Sequence, residues 1–192
     1  KTTAEGNMRE DHHHPIDPWC LYAHFPCTGD TYGASYALVS HMTTLEDWGR
    51  TWNHCHPRMV GSPVCAVCIE KRPVLSWSFF KHPIHPEWEH PANVNGVTLA
   101  HRTSATDVDA AAVWETLVVE CVRGAQPDCV NGVQITTKRT RGGAYVKFDV
   151  WLAPGTDVPF ATHWLLSTTR LPFAVSLRES RAPLPESRRR RV

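Results

Sequence analysis

No apolar stretch in this sequence approaches the ~18 residues that a membrane-spanning helix needs. The first thirty residues also lack the apolar core of a signal peptide. They carry Lys1, Arg9, Glu10, Asp11 and His12–His14 instead. The expectation is a cytoplasmic protein. Seven cysteines, an odd and scattered set, make a poor disulfide framework and fit a reducing compartment. The chain has no Gly-rich phosphate loop, no nucleophile elbow and no paired-carboxylate pattern, so neither an enzyme nor a cofactor is expected. Internal repeats are absent. Overall charge is also lacking, at only +1, which argues against a general nucleic-acid binder.

What charge there is lies unevenly. From Lys138 to the end there are eleven Lys/Arg against four Asp/Glu. A basic final quarter on a near-neutral chain suits a local phosphate contact, although Arg188–Arg191 read equally well as a solvated tail. At 192 residues, with 42% hydrophobic and 20% charged residues, one domain with a real core is expected. Its limits are about 14–180, between a disordered segment 1–13 and a basic Pro/Arg-rich tail 181–192.

Strands are expected at Trp19–Phe25, Ala34–His41, Trp77–Phe80, Val97–Arg102, Val130–Thr140, Ala144–Leu152 and Phe173–Arg178. Gly142-Gly143 is a hairpin signal between two of them. Thr43 and Thr44, each three residues before an acid (Glu46, Asp47), form overlapping capping boxes. The helix they open places Leu45, Trp48, Trp52 and Cys55 near one face. Residues 56–73, with three prolines and Gly61, read as a loop. A second helix runs from Thr106-Asp107 to Gly124 with Val113, Leu117, Val118 and Cys121 as its buried stripe. A third, weaker one spans Phe160–Arg170. The fold class is α+β, a curved antiparallel β-sheet with about three helices on its convex face.

Two features bear on chemistry. The first is Trp88-Glu89 in a Pro-rich loop. An indole stacks on a flat ring, and the adjacent carboxylate can accept two N–H donors from that ring's edge. Guanine has such an edge, and N7-methylation makes the ring cationic and adds cation–π attraction. A surface Trp beside a solvated Glu is the bland alternative. The second feature is the hairpin. Strand alternation puts Tyr145, Lys147, Asp149 and Trp151 on one face and Val146, Phe148 and Val150 on the other. Gln134, Thr136 and Lys138 form the mixed face of the partner strand. Lys138, Lys147 and Trp151 would then share a surface suited to phosphates trailing from a stacked base, or simply a solvated one. Cys65 and Cys68 have zinc-ligand spacing near His54-Cys55-His56, but a second such pair is absent and small buried cysteines are common.

Taken in order, these pieces resemble the mRNA cap-binding translation initiation factor 4E family. The resemblance rests on His14-Pro15 to Tyr22, Thr44 to Trp48, Phe80-Lys81 to Glu89, Trp114 to Leu117, Asn131-Gly132 to Lys138, Lys147 to Trp151, and Thr162-His163, and runs from about 14 to 175. It implies binding of the 7-methylguanosine cap. Trp88 would stack on the base, Glu89 would read the guanine edge, and Trp151 would contact the N7-methyl group. Lys138 and Lys147, with Arg139 and Arg141 nearby, would bind phosphates. The other stacking position falls on Tyr32, where the family has Trp, with Tyr36 as a neighbouring candidate. The usual arginine of the next strand has no counterpart around Val97-Thr98. Each stack is worth roughly 1–3 kcal/mol, so a Tyr for a Trp implies weaker binding. Implied partners are capped mRNA and an initiation scaffold of the 4G type or a repressor with a similar motif, the chain being otherwise a monomer. His14, Pro15, Leu45 and Gly49 fall on the partner face, Gly49 standing where the family's anchoring Trp would be. Trp48 and Trp52 match core positions. The alternative is a family-fold interaction protein whose cap affinity is weak or lost.

Overall fold

The computed structural model describes residues 14–26, 35–59, 68–69, 72–140 and 143–176. The segment 1–13, the tail 181–192, and Tyr32, Cys65 and Arg141 lie outside them. In chain order the elements are β1 (Pro15–His24), β2 (Tyr36–Thr44), α1 (Leu45–Met59), β3 (Cys68–Ile69), β4 (Arg72–Pro73), β5 (Ser76–Lys81), β6 (Val97–Ser104), α2 (Ala110–Val122), β7 (Val130–Thr140), β8 (Gly143–Leu152), α3 (Val158–Thr169) and β9 (Ala174–Ser176). Among the described residues seven strands form one antiparallel curved sheet in the order β2-β1-β5-β7-β8-β6-β9. β3 and β4 pair as a separate two-residue hairpin.

Alternation along each strand sorts the side chains into two faces. The register aligns Leu21, Phe79, Val133, Val150 and Leu99 in one row. All five are buried, and the helices cover them. Trp19 stacks on Phe79 at 4.9 Å between ring centroids. Trp114, Leu117, Val118 and Cys121 of α2 and Ala161 and Leu165 of α3 close the same core. Burying each large apolar side chain contributes about 1.5–3 kcal/mol, so this face sets the fold. α1 joins through Trp52, whose Nε1 donates to Glu115 Oε1 at 3.3 Å. Trp48 is half-buried and lies 5.8 Å from Trp52, in keeping with the core reading of both.

Local chemistry explains the boundaries. Asp47 N–H donates to Thr44 Oγ1 at 3.1 Å, and the Asp47 carboxylate accepts from Thr43 N–H at 3.2 Å. Of the two overlapping capping boxes, then, it is Asp47 that serves. Glu46 turns to His14 instead, accepting from its backbone N–H at 3.1 Å and pairing with its Nδ1 at 2.8 Å.

Several expectations need correction. β1 starts at Pro15, not Trp19, because β2 is long enough to pair Pro15 with Thr44 across an irregularity. α2 starts at Ala110, not Thr106, because Asp109 is the residue whose carboxylate accepts from Ala111 and Ala112 N–H. Trp114 rather than Val113 is fully buried on that helix. α3 starts at Val158, capped by Asp157 on Phe160 N–H at 3.0 Å, with proline in the first turn. α1 continues to Met59, and β3 and β4 lie within the stretch expected to be loop. Leu45 is 42% exposed: as the first residue of α1 it points away from the core that Trp48 and Trp52 meet.

Candidate functional site

The face opposite the helices carries a smaller aromatic cluster. One row of the register runs His41, Cys20, Phe80, Gly132, Trp151, Thr98. Phe80 lies across Gly132, where a Cβ would come within 2.4 Å of the phenyl ring. Only glycine lets the two strands carry that ring there. Phe80 then meets Trp151 edge-on at 5.4 Å. Cys20, Tyr22, Phe80 and Trp151 are buried together, with Tyr36, Ile84 and Trp88 packed against them. Burial pushes both the Tyr22 hydroxyl and the Cys20 thiol up.

Trp88 arrives on the long connection between β5 and β6. Its indole stacks on Trp151 with 3.9 Å between centroids and planes 22° apart. The connection is held by a buried amide relay. Asn93 Nδ2 donates to the carbonyls of His85 and Glu87 at 2.9 and 2.8 Å. Asn131 of β7 donates through Nδ2 to Ala92 O at 2.7 Å and Asn93 Oδ1 at 3.0 Å. The end of the connection is equally constrained, since a Cβ at Gly96 would fall 2.3 Å from Leu152 O. Glu89, next to Trp88, is exposed and makes no hydrogen bond or ion pair to the described residues.

Along β8 from Trp151, the same face carries Asp149, Lys147 and Tyr145. Lys147 Nζ pairs with Asp149 Oδ1 at 2.6 Å, and Asp149 is 1% exposed. Lys138 is exposed and lies opposite Tyr145. Of Arg139 only the backbone, in β7, is described. Gln134 spans the floor, donating through Nε2 to Ser76 Oγ at 3.1 Å and Ser78 Oγ at 3.0 Å. Tyr36 stacks on His24 at 4.4 Å. Burial first, and then the Lys138 ammonium, push the His24 imidazole below its usual range. Arg102 was missed from the sequence. It sits opposite Lys147 in the β6–β8 register, with its guanidinium carbon 3.7 Å from the centre of the Tyr145 ring. The available signal was alternation along β6, which puts Thr98, Ala100 and Arg102 on one side.

The face therefore brings Trp88, Trp151, Lys147, Lys138 and Arg102 together, with Glu89 beside the stack. His14, Pro15 and Leu45 gather elsewhere, where β1 begins beside α1. A Cβ at Gly49 would meet nothing within 4 Å. For the cysteine–histidine motif, His54 Nδ1 bonds the Arg50 carbonyl at 2.9 Å.

This architecture, a helix-backed curved sheet bearing an aromatic and basic open face, is that of the cap-binding initiation factors. The family model for eukaryotic initiation factor 4E matches residues 16–159, and the chain belongs to that family. A search of curated proteins found no match. Among solved structures the chain is similar to a schistosome eIF4E complexed with m7GpppA and 4E-BP, with 20% identity, TM-score 0.68, and 85% and 87% of the two chains covered. It is also similar to Caenorhabditis elegans eIF4E-3 in complex with the 4E-binding protein Mextli and a cap analogue, with 18% identity, TM-score 0.65, and 86% and 92% covered. A third is Ascaris suum eIF4E-3 with an m2,2,7G cap, with 16% identity, TM-score 0.67, and 91% and 96% covered.

Proposed function

We propose that the protein binds the 7-methylguanosine cap of mRNA for translation initiation. The observation that carries this reading is Glu89: an exposed carboxylate without a partner among the described residues, adjacent to a Trp that a buried amide relay holds over the aromatic floor. Glu89 accepts from guanine N1–H and the exocyclic amine, and the base stacks on Trp88. Tyr32 supplies the second ring. The triphosphate runs toward Lys147 and Lys138, with Arg102, Arg139 and Arg141 as further cations. At 3.9 Å the indoles of Trp88 and Trp151 leave no gap for a base between them. The base therefore meets the other face of Trp88, and Trp151 reaches the N7-methyl group only when Trp88 tips off it. Family membership and the cap analogues in the similar structures support the assignment. His14, Pro15, Leu45 and Gly49 are the face for a scaffold of the 4G type or a repressor such as the binding proteins in those complexes.

The test is retention on immobilised m7GTP, with elution by m7GTP but not GTP. Glu89→Ala should weaken retention at least about tenfold, since hydrogen bonds to a charged group are worth about 1.5–3 kcal/mol each, without changing the melting temperature. Unchanged retention in Glu89→Ala would refute the site. Failure of the unmodified protein to bind at low salt would favour the second reading, a 4E-like interaction protein that acts through protein partners.

A further inference from the structure

A cluster outside the cap reading lies at one end of the aromatic row. Cys20 of β1 is paired with His41 of β2 and with Phe80 of β5. His82 begins the turn after β5, and its ring lies against the Cys20 side chain. β1, β2 and the turn that follows β5 thus deliver a thiol and two imidazoles to one spot. Cys20 Sγ lies 3.7 Å from His82 Nδ1. The His41 and His82 rings are 4.6 Å apart. One ligand atom from each of the three residues lies within 4.8 Å of the others.

We propose that Cys20, His41 and His82 bind a zinc ion, with water in the fourth position. Bonds of about 2.3 Å to sulfur and about 2.0–2.1 Å to nitrogen put tetrahedral ligands about 3.5 Å apart, so small side-chain rotations close the site. The backbone is already set: Cys20 and His41 sit in the ladder, and His82 N–H donates to Pro18 O at 2.9 Å. Binding therefore has little chain to order. Sulfur with two imidazoles suits zinc, whereas calcium and magnesium need oxygen ligands that this cluster lacks. Both histidines are exposed, which leaves an entry path and room for the water. The buried Cys20 thiol gives up its proton to solvent as the metal binds, and its hydrogen bond to His82 is replaced by the shared ion. A thiol–imidazole hydrogen bond by itself would account for Cys20 and His82 but not for His41 beside them. Because His82 opens the connection that leads to Trp88, the metal would tie β2 and β1 to the root of that connection.

The experiment titrates chelator-treated full chain with cobalt(II), in a Cys65→Ser/Cys68→Ser background that removes the other candidate cysteine pair. Expected is one tetrahedral equivalent with a thiolate-to-cobalt charge-transfer band, displaced by zinc. His82→Ala and His41→Ala, both surface changes, should each weaken binding by about tenfold or more. Cys20→Ala should abolish the charge-transfer band. Absence of that band in the background variant, or unchanged affinity in both histidine variants, would overturn the site. Neither outcome touches cap retention, so this proposal and the cap reading stand or fall separately.

Discussion

At the scale of single residues, Lys147 has two duties that pull on one side chain. It is a candidate phosphate ligand, and it is also the partner of a carboxylate that is 1% exposed. Removing one member of a buried pair costs about 3–5 kcal/mol because the other charge is left behind. Lys147 keeps a quarter of its side chain in water, so the lower end applies. Lys147→Ala should therefore destabilise the fold by about 3 kcal/mol in urea denaturation. Adding Asp149→Asn should restore most of that stability but none of the lost affinity for m7GTP. If both single and double variants melt like the parent, the pair is not structural. Alternation in the hairpin already put Asp149 beside Lys147. That Asp149 would be buried was not legible, because Gln134 flanks it within the hairpin but Ala100 covers its other side from β6, a strand distant in sequence.

At the scale of elements, the junction of β1 and α1 is held by hydrogen bonds between His14 and Glu46 and from Leu45 N–H to the His14 carbonyl. The hydrogen bond from His14 is the main cause that lowers the Glu46 carboxyl to about 2, with backbone hydrogen bonds, His14's among them, adding to it. A depressed carboxyl stabilises the fold above the usual carboxylate range, and that contribution fades as the pH falls toward 2. His14→Ala should return the Glu46 carboxyl toward its ordinary value. The readout is its side-chain NMR titration, and an unmoved midpoint would contradict the contact. The capping boxes were legible because the whole motif lies within five residues. The N-terminal stretch of β1 was not, since its support comes from the end of β2 and from His82, which donates to Pro18 O, both distant in sequence. The start of α2 was misplaced for a related reason: Thr106, Asp107 and Asp109 are all plausible caps, and packing of Trp114 selects the last.

At the scale of the whole molecule, the connection between β5 and β6 is fastened to β7 by Asn131 and Asn93. Asn131→Ala leaves Ala92 O and Asn93 Oδ1 without their donor. The cost should be about 1–3 kcal/mol. Hydrogen exchange should quicken over residues 85–96 while the helix-side core stays protected. Retention on m7GTP should fall, because Trp88 and Glu89 ride on that connection. Exchange that rises evenly across the sheet would contradict this picture. Among the described residues no helix is long and apolar enough to cross a membrane.

Strand alternation, caps and the order of motifs were enough to read the α+β class, the two faces of the hairpin, and the core role of Trp48 and Trp52. Each depends on neighbours a few residues apart, where period and spacing carry the information. Only the tertiary structure decided that Trp88 rests on Trp151, that Arg102 stands beside Lys147, and that Cys20 meets His41 and His82. Those contacts join residues 21 to 63 positions apart. Which ones form depends on strand order in the sheet, a property of how the whole chain buries its apolar face.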